Sequence, residues 1–293
     1  MRWAWLAILC AAAGTGCISR LSWPFVRATP AANAPATTRS LSPTLPVADG
    51  SLYVESVLLE RPAGDELLDR ELWVAGLANL PPQTAALVQE NGLRVAVLSG
   101  ALPPAFQKLL DSEPDTVNPH GLTFGVRKDA VIPTAEPPDP CEFSVLTDLA
   151  GTRSSVKLSQ ARAGLLVRPE SLSDGRVKVW CEPQLQHGLK KETLKATADG
   201  TGFTMQVEVP VASYPSLGFE VSLGPNDYLI VGWPASTNNN LGMAMFAVEA
   251  NNLPRQRVLV VRAGKMGDAT PTDLPSIRGS RTRLSIAAEV SRR

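Results

Sequence analysis

Beyond residue 120 apolar and polar positions alternate with a period of two, whereas before it strand-like runs are interleaved with helical spacing. LTFGVRK (122–128), CEFSVL (141–146), SSVKLS (154–159), RAGLLVRP (162–169) and GRVKVWCE (175–182) read as strands. So do FTMQVEVP (203–210), GFEVSLG (218–224), DYLIVGW (227–233), MAMFAVE (243–249) and RQRVLVVRA (255–263), with Gly, Pro, Asn and Asp turns between them. The gaps are too short for helical crossovers, which predicts antiparallel pairing. Asp174-Gly175 marks one hairpin. LGFEVSLGPNDYLIVGW (217–233) marks another, with Pro225 and Asn226 at the central turn positions and Asp227 as turn chemistry.

The preceding segment is mixed. SLYVESVLLE (51–60) and LRVAVLSG (93–100) alternate as strands, and Gly64-Asp65 opens a helix in which Glu66 and Arg70 stand at the favourable i,i+4 spacing. Pro81-Pro82 starts a second helix that Asn91-Gly92 ends, and Pro103-Pro104 starts a third carrying Phe106, Leu109 and Leu110. The expected class is α+β: a small mixed α/β N-terminal part, 51–120, followed by a largely antiparallel β-rich part, 121–264, packed with it as one unit.

The ends differ from this core. Arg2 precedes eleven apolar residues, Trp3 to Ala13, and then Gly14-Thr15-Gly16-Cys17, the layout of a bacterial export signal over 1–17. Eleven residues fall short of the roughly 20 that a membrane-spanning helix needs. The small residues before Cys17 resemble a lipobox, with Gly14 where an aliphatic residue is usual. Lipidation of Cys17 is therefore expected, and ordinary cleavage after Ala11-Ala12-Ala13 is the other reading. Residues 18–50, with Pro24, Pro30, Pro35, Pro43 and Pro46 among Ala, Thr and Ser, offer no apolar face and read as a disordered tether. Residues 265–293 carry six Lys or Arg against three acids and read as a disordered basic tail.

Charge and chemistry narrow the function. Lys plus Arg and Asp plus Glu balance at 28 each, with no basic face or aromatic interleaving for nucleic acid. With Cys10 removed and Cys17 lipidated, Cys141 and Cys181 remain. In an oxidising compartment they could form a disulfide worth about 3–4 kcal/mol by chain entropy, or stand as plain core thiols. No CxxC or neighbouring His completes a metal site, and prolines replace the backbone donors of a phosphate loop after Ser99-Gly100. His120 and His187 each precede a glycine in expected turns, without a catalytic partner. Asp65, Glu66, Asp69 and Glu71 read as helix-end electrostatics, and Asn238-Asn239-Asn240 as an exposed loop. No catalytic residue, cofactor or metal is expected.

AGLLVRPESLSDGRVKVWCEPQL resembles the core β-domain of bacterial secretins, where a G-x-x-L-x-V-x-P run precedes a D-G-x-V-x-L strand. LYVESVLLE, LGFEVSLGPNDYLIVGW, LGMAMFA and RQRVLVVRA are similar, in order, to other segments of that domain. Gly232 is followed by Trp233 where secretins pair two glycines, and ring-building modules are missing, so the resemblance implies the β-domain fold without its pore. The chain also resembles exported planctomycete proteins of unassigned function, on Arg70 to Trp73, Asn91 to Val95, Leu102 to Pro104, Gln186 to Gly188 and Gly224 to Gly232. That resemblance implies location and architecture but no catalytic residues.

The expectation is a non-catalytic, exported cell-envelope protein, held to the membrane by lipid at Cys17. It would act as a structural or assembly component through self-association or an envelope protein partner. The alternative is a periplasmic or surface lipoprotein holding a small ligand or glycan in a cleft between its two parts.

Overall fold

A computed structural model describes residues 51–76, 80–125, 128–196 and 202–265. The leader, Cys17, the proline-rich stretch and the tail beyond Lys265 lie outside the described residues. The described residues fall within one compact unit.

Strand β1 (Leu52–Pro62) leads through a π-helical turn, Leu67–Glu71, into helix α1 (Leu72–Ala75), followed by α2 (Pro82–Glu90), β2 (Arg94–Ser99), α3 (Pro104–Leu110) and β3 (Thr116–Phe124). Next come β4 (Ala130–Ala135), β5 (Cys141–Val145), β6 (Ser154–Leu158), β7 (Arg162–Ser171), β8 (Val177–Gln186), β9 (Lys191–Ala196), β10 (Phe203–Glu208) and β11 (Val211–Ser213). The described chain closes with β12 (Phe219–Leu223), β13 (Asp227–Gly232), α4 (Leu241–Phe246), β14 (Ala247–Ala250) and β15 (Leu253–Lys265).

Two larger sheets carry the fold. One runs β2-β13-β15-β1-β3 with β14 added on β15; the other runs β11-β8-β7-β4 with β12 added on β8. β5–β6 and β9–β10 form separate two-stranded sheets, and the paired strands are antiparallel. The class is therefore β-rich with few helices, a loose fit to α+β. The 120/121 boundary falls inside β3, and the early strands β1 and β2 lie among the late strands β13 and β15.

Burial explains the layering. VLVV in β15 is buried throughout because this sheet is covered on both faces. Val57, Leu59, Ile230, Val258 and Val260 pack with Leu68, Leu72, Phe106 and Leu110 of the helical segments. Leu58, Leu229, Val231, Leu259 and Val261 pack instead with Leu165, Val167, Val179 and Leu223 of the second sheet. The π-helical turn, α1 and α3 thus cover one face of the first sheet, whereas α2 and α4 pack into the cluster that its other face shares with the second sheet. Pro82 and Pro104 stand at the starts of their helices, each after a proline in extended backbone. Gly92, at φ +73°, follows the end of α2.

Three expectations are corrected. LGFEVSLGPNDYLIVGW is not a hairpin: β12 pairs with β8, while β13 pairs with β2 and β15. β12 alternates buried and outward positions, fitting a sheet with one wet face, whereas β13 is buried at Leu229 to Gly232 and belongs mid-sheet. The GPND segment is an arch between sheets. MAMF, expected as strand, is α4; the Asn240 side chain caps it by accepting from the Met243 N–H at 2.9 Å. His120 lies on β3 rather than in a turn, and β4 and β9 are strands that the reading of the sequence did not mark.

Candidate functional site

β9 and β10 alternate in step. Met205 faces Leu194 across the ladder, Phe203 faces Ala196, and Val207 faces Glu192, so Phe203, Met205, Val207 and Leu194 share a face. In the larger sheets such a face is buried. Here Phe203 is 74% exposed, Leu194 68%, Met205 63% and Val207 55%. Leu189 and Val211, beside the hairpin's base, are exposed as well.

The base is fixed to the body. The Gly188 N–H donates to the Ser159 carbonyl at 2.7 Å and the His187 N–H to the Pro210 carbonyl at 2.9 Å. Gln186-His187-Gly188 is thus where the hairpin leaves the second sheet. Edge strand β3 differs: Pro119 removes a backbone donor, Asn118 has φ +48°, and the pairing with β1 shifts between Ser56 and Leu58. β9 and β10 contain no proline.

A second feature is a polar cleft of about 500 Å³ where the end of α2 meets the 234–240 loop and the β5–β6 hairpin. Asn91, wholly buried, donates from Nδ2 to the Leu87 and Leu146 carbonyls at 2.8 Å each and accepts the Leu146 N–H at 2.8 Å. The Gly242 N–H donates to the Asn91 carbonyl at 2.9 Å. A Cβ on Gly242 would overlap the Gly92 carbonyl, and one on Gly92 would overlap the Asn240 carboxamide. Ser144 donates from N and Oγ to the Asn239 carbonyl at 3.0 and 2.8 Å. Asn239 itself holds φ +55°.

The arch is equally tied down. Asp227 N–H donates to the Gly224 carbonyl at 3.1 Å, and the Asp227 carboxylate accepts the Gly224 N–H at 2.7 Å. Gly100 N–H reaches the Asn226 carbonyl at 3.1 Å. Buried Arg262 donates twice to the Pro225 carbonyl, at 3.3 and 3.0 Å, with its guanidinium 5.8 Å from the Tyr228 ring centre. These bonds account for Asp227 as structure.

The remaining singled-out residues are placed apart. Of the two readings of Cys141 on β5 and Cys181 on β8, the structure has the plain core thiols: both are free and buried, each packed as a core side chain. Burial pushes the Cys141 thiol up to about 11, moves Cys181 further in the same direction, and raises Tyr214 to about 12. Asp65 pairs with Arg61, Glu66 with Arg70, and Asp69 accepts the Ala235 N–H. Among the described residues no three of His, Cys, Asp and Glu are grouped to hold a metal ion. The β9–β10 hairpin was half legible: FTMQVEVP reads as a strand, but its KETLKA partner was missed. The periodicity carries no sign that this apolar face stays outside the core.

No protein-family model, curated protein or solved structure matches the chain.

Proposed function

We propose that this is a non-catalytic, exported component of the cell envelope, anchored by lipid at Cys17, which assembles with other proteins through the β9–β10 hairpin. The apolar face of Phe203, Met205, Val207 and Leu194 carries this reading, because contiguous exposed apolar surface on a fixed scaffold is characteristic of an interaction site. Each strand has six residues, short of the roughly 9–11 that a strand crossing a bilayer needs, which favours a protein contact over membrane insertion. The resemblance to the secretin core β-domain is compatible with an assembly role.

The test is native mass measurement and cross-linking of the mature chain against a Phe203→Asp, Met205→Asp double variant. Oligomers or a cross-linked envelope partner that the variant loses at unchanged circular dichroism support the proposal. A wild-type chain that stays monomeric at high concentration and captures nothing from envelope extract, or a variant that associates equally well, overturns it. Mass spectrometry of the mature N-terminus tests the anchor: diacylglycerol on Cys17 is expected, and an unmodified terminus near Gly14 would refute it.

A further inference from the structure

We propose that the cleft between α2 and the 234–240 loop is a binding site for a neutral saccharide, separate from the assembly surface. Its volume of about 500 Å³ lies within the range of small-molecule sites. Leu93 and Pro234 are the only apolar side chains on its walls. The others present carboxamide, hydroxyl, carboxylate and guanidinium groups, among them Gln89, Glu90, Ser236, Thr237, Asn238 and Arg153.

The mixture selects the ligand's chemistry. Glu90 and the carboxamide oxygens are acceptors, whereas the guanidinium and carboxamide nitrogens are donors. A carboxylate or a fully ionised phosphate only accepts hydrogen bonds, and any phosphate brings its negative charge to Glu90 and the amide oxygens. A sugar hydroxyl both donates and accepts, so vicinal hydroxyls can engage both kinds together. Charge agrees with this: Arg153 Nη2 lies 2.6 Å from the Glu90 carboxylate and 2.7 Å from the Glu90 carbonyl. Arg94 is turned toward Asp69, bonding its carbonyl with a carboxylate oxygen 3.9 Å away. Both cations on the walls thus face acids, and no strong field remains to select an anion.

The floor is pre-organised. The Asn91 bonds to Leu146, the Gly92–Gly242 contact and the Ser144–Asn239 bonds fix three segments distant in sequence before any ligand arrives, which lowers the ordering cost of binding. The site also has a built-in reporter. Trp233 Nε1 donates at 2.8 Å to the carbonyl of Thr237, a wall residue, so occupancy should alter tryptophan emission.

The full mature chain is titrated with cellobiose, maltose, chitobiose and raffinose up to about 10 mM, and in parallel with glucuronate and inorganic phosphate. Tryptophan fluorescence and calorimetry are the readouts. Expected are a saturable response to at least one neutral saccharide, weaker or absent responses to the anions, and at least a tenfold loss of affinity in Asn238→Ala and Arg153→Gln. Asn238 and Arg153 are both exposed, and unchanged melting of both variants checks that the fold is kept. Phe203→Asp, Met205→Asp should bind sugar normally. Silence toward all four saccharides, response to the anions alone, or equal affinity in the wall variants overturns the proposal.

Discussion

Two segments of this protein read alike and are built in opposite ways. GFEVSLGPNDYLIVGW and the pair KETLKA/FTMQVE are each two short amphipathic runs around a polar connection. The first is split between two sheets, and its Gly224–Asp227 turn is held by Arg262, Gly100 and the Asp227 carboxylate. The second pairs with itself and keeps its apolar side in solvent. Alternation thus specifies a strand with two unlike faces, but not the surface that covers the apolar one. In the arch that surface is the protein's own core; in the hairpin none of the described residues covers it.

The contrast can be broken most forcefully at the arch. Arg262→Ala removes a buried guanidinium and leaves the Pro225 carbonyl unpaired, and should lower unfolding free energy by about 3 kcal/mol in urea titration. A loss below ~1 kcal/mol would show that the arch does not depend on this clamp. Alkaline pH probes the core beside it, because Cys181 stands opposite Phe219 of β12. Cys141 keeps its proton to about pH 11 in the fold against 9.0 for an ordinary thiol, and Cys181 is shifted the same way. Below pH 9 both states hold the proton and stability is unaffected. Above it the unfolded chain gains by ionising, so stability falls as pH rises through this window, at up to about 1.4 kcal/mol per pH unit for each thiol. Urea midpoints between about pH 8 and pH 11 measure the slope, and Cys141→Ala should flatten it in part.

Asp227→Ala should cost about 1 kcal/mol, the worth of its bond to the Gly224 N–H, read from the shift in urea midpoint. The smallest effect is expected at the hairpin. Phe203→Thr with Leu194→Thr should change monomer stability by less than about 0.5 kcal/mol, since neither side chain is buried. A loss of several times that size would mean the face is already covered within the monomer.

Much of the framework was legible. Pro82 and Asn91-Gly92 bound α2 as their backbone chemistry requires, and the RQRVLVVRA run marked the strand that became β15. Pairing was less legible, because β12 and β13 are neighbours in sequence yet owe their places to different sheets. α4 was hidden by composition: MAMF serves as strand or helix, and the Asn240 cap decides. Of the cleft, the sequence displayed only an asparagine run that reads as a loose loop. Asn240 is in fact buried, and the residues meeting it come from the turn after α2 and from β5, more than ninety positions away, a juxtaposition that no local pattern encodes.

The pairing of β1 with β15 has a temporal meaning. Eleven residues, Leu52 to Pro62, zip onto Lys265 to Arg255, so the central strand of one sheet awaits the last described residues of the chain. Until β15 is available, β13 has only β2 and β1 only β3 as a sheet partner, and contacts this distant in sequence are slow to close. The first sheet is therefore completed only when its last described strand arrives, joining the two ends of the described segment in one step.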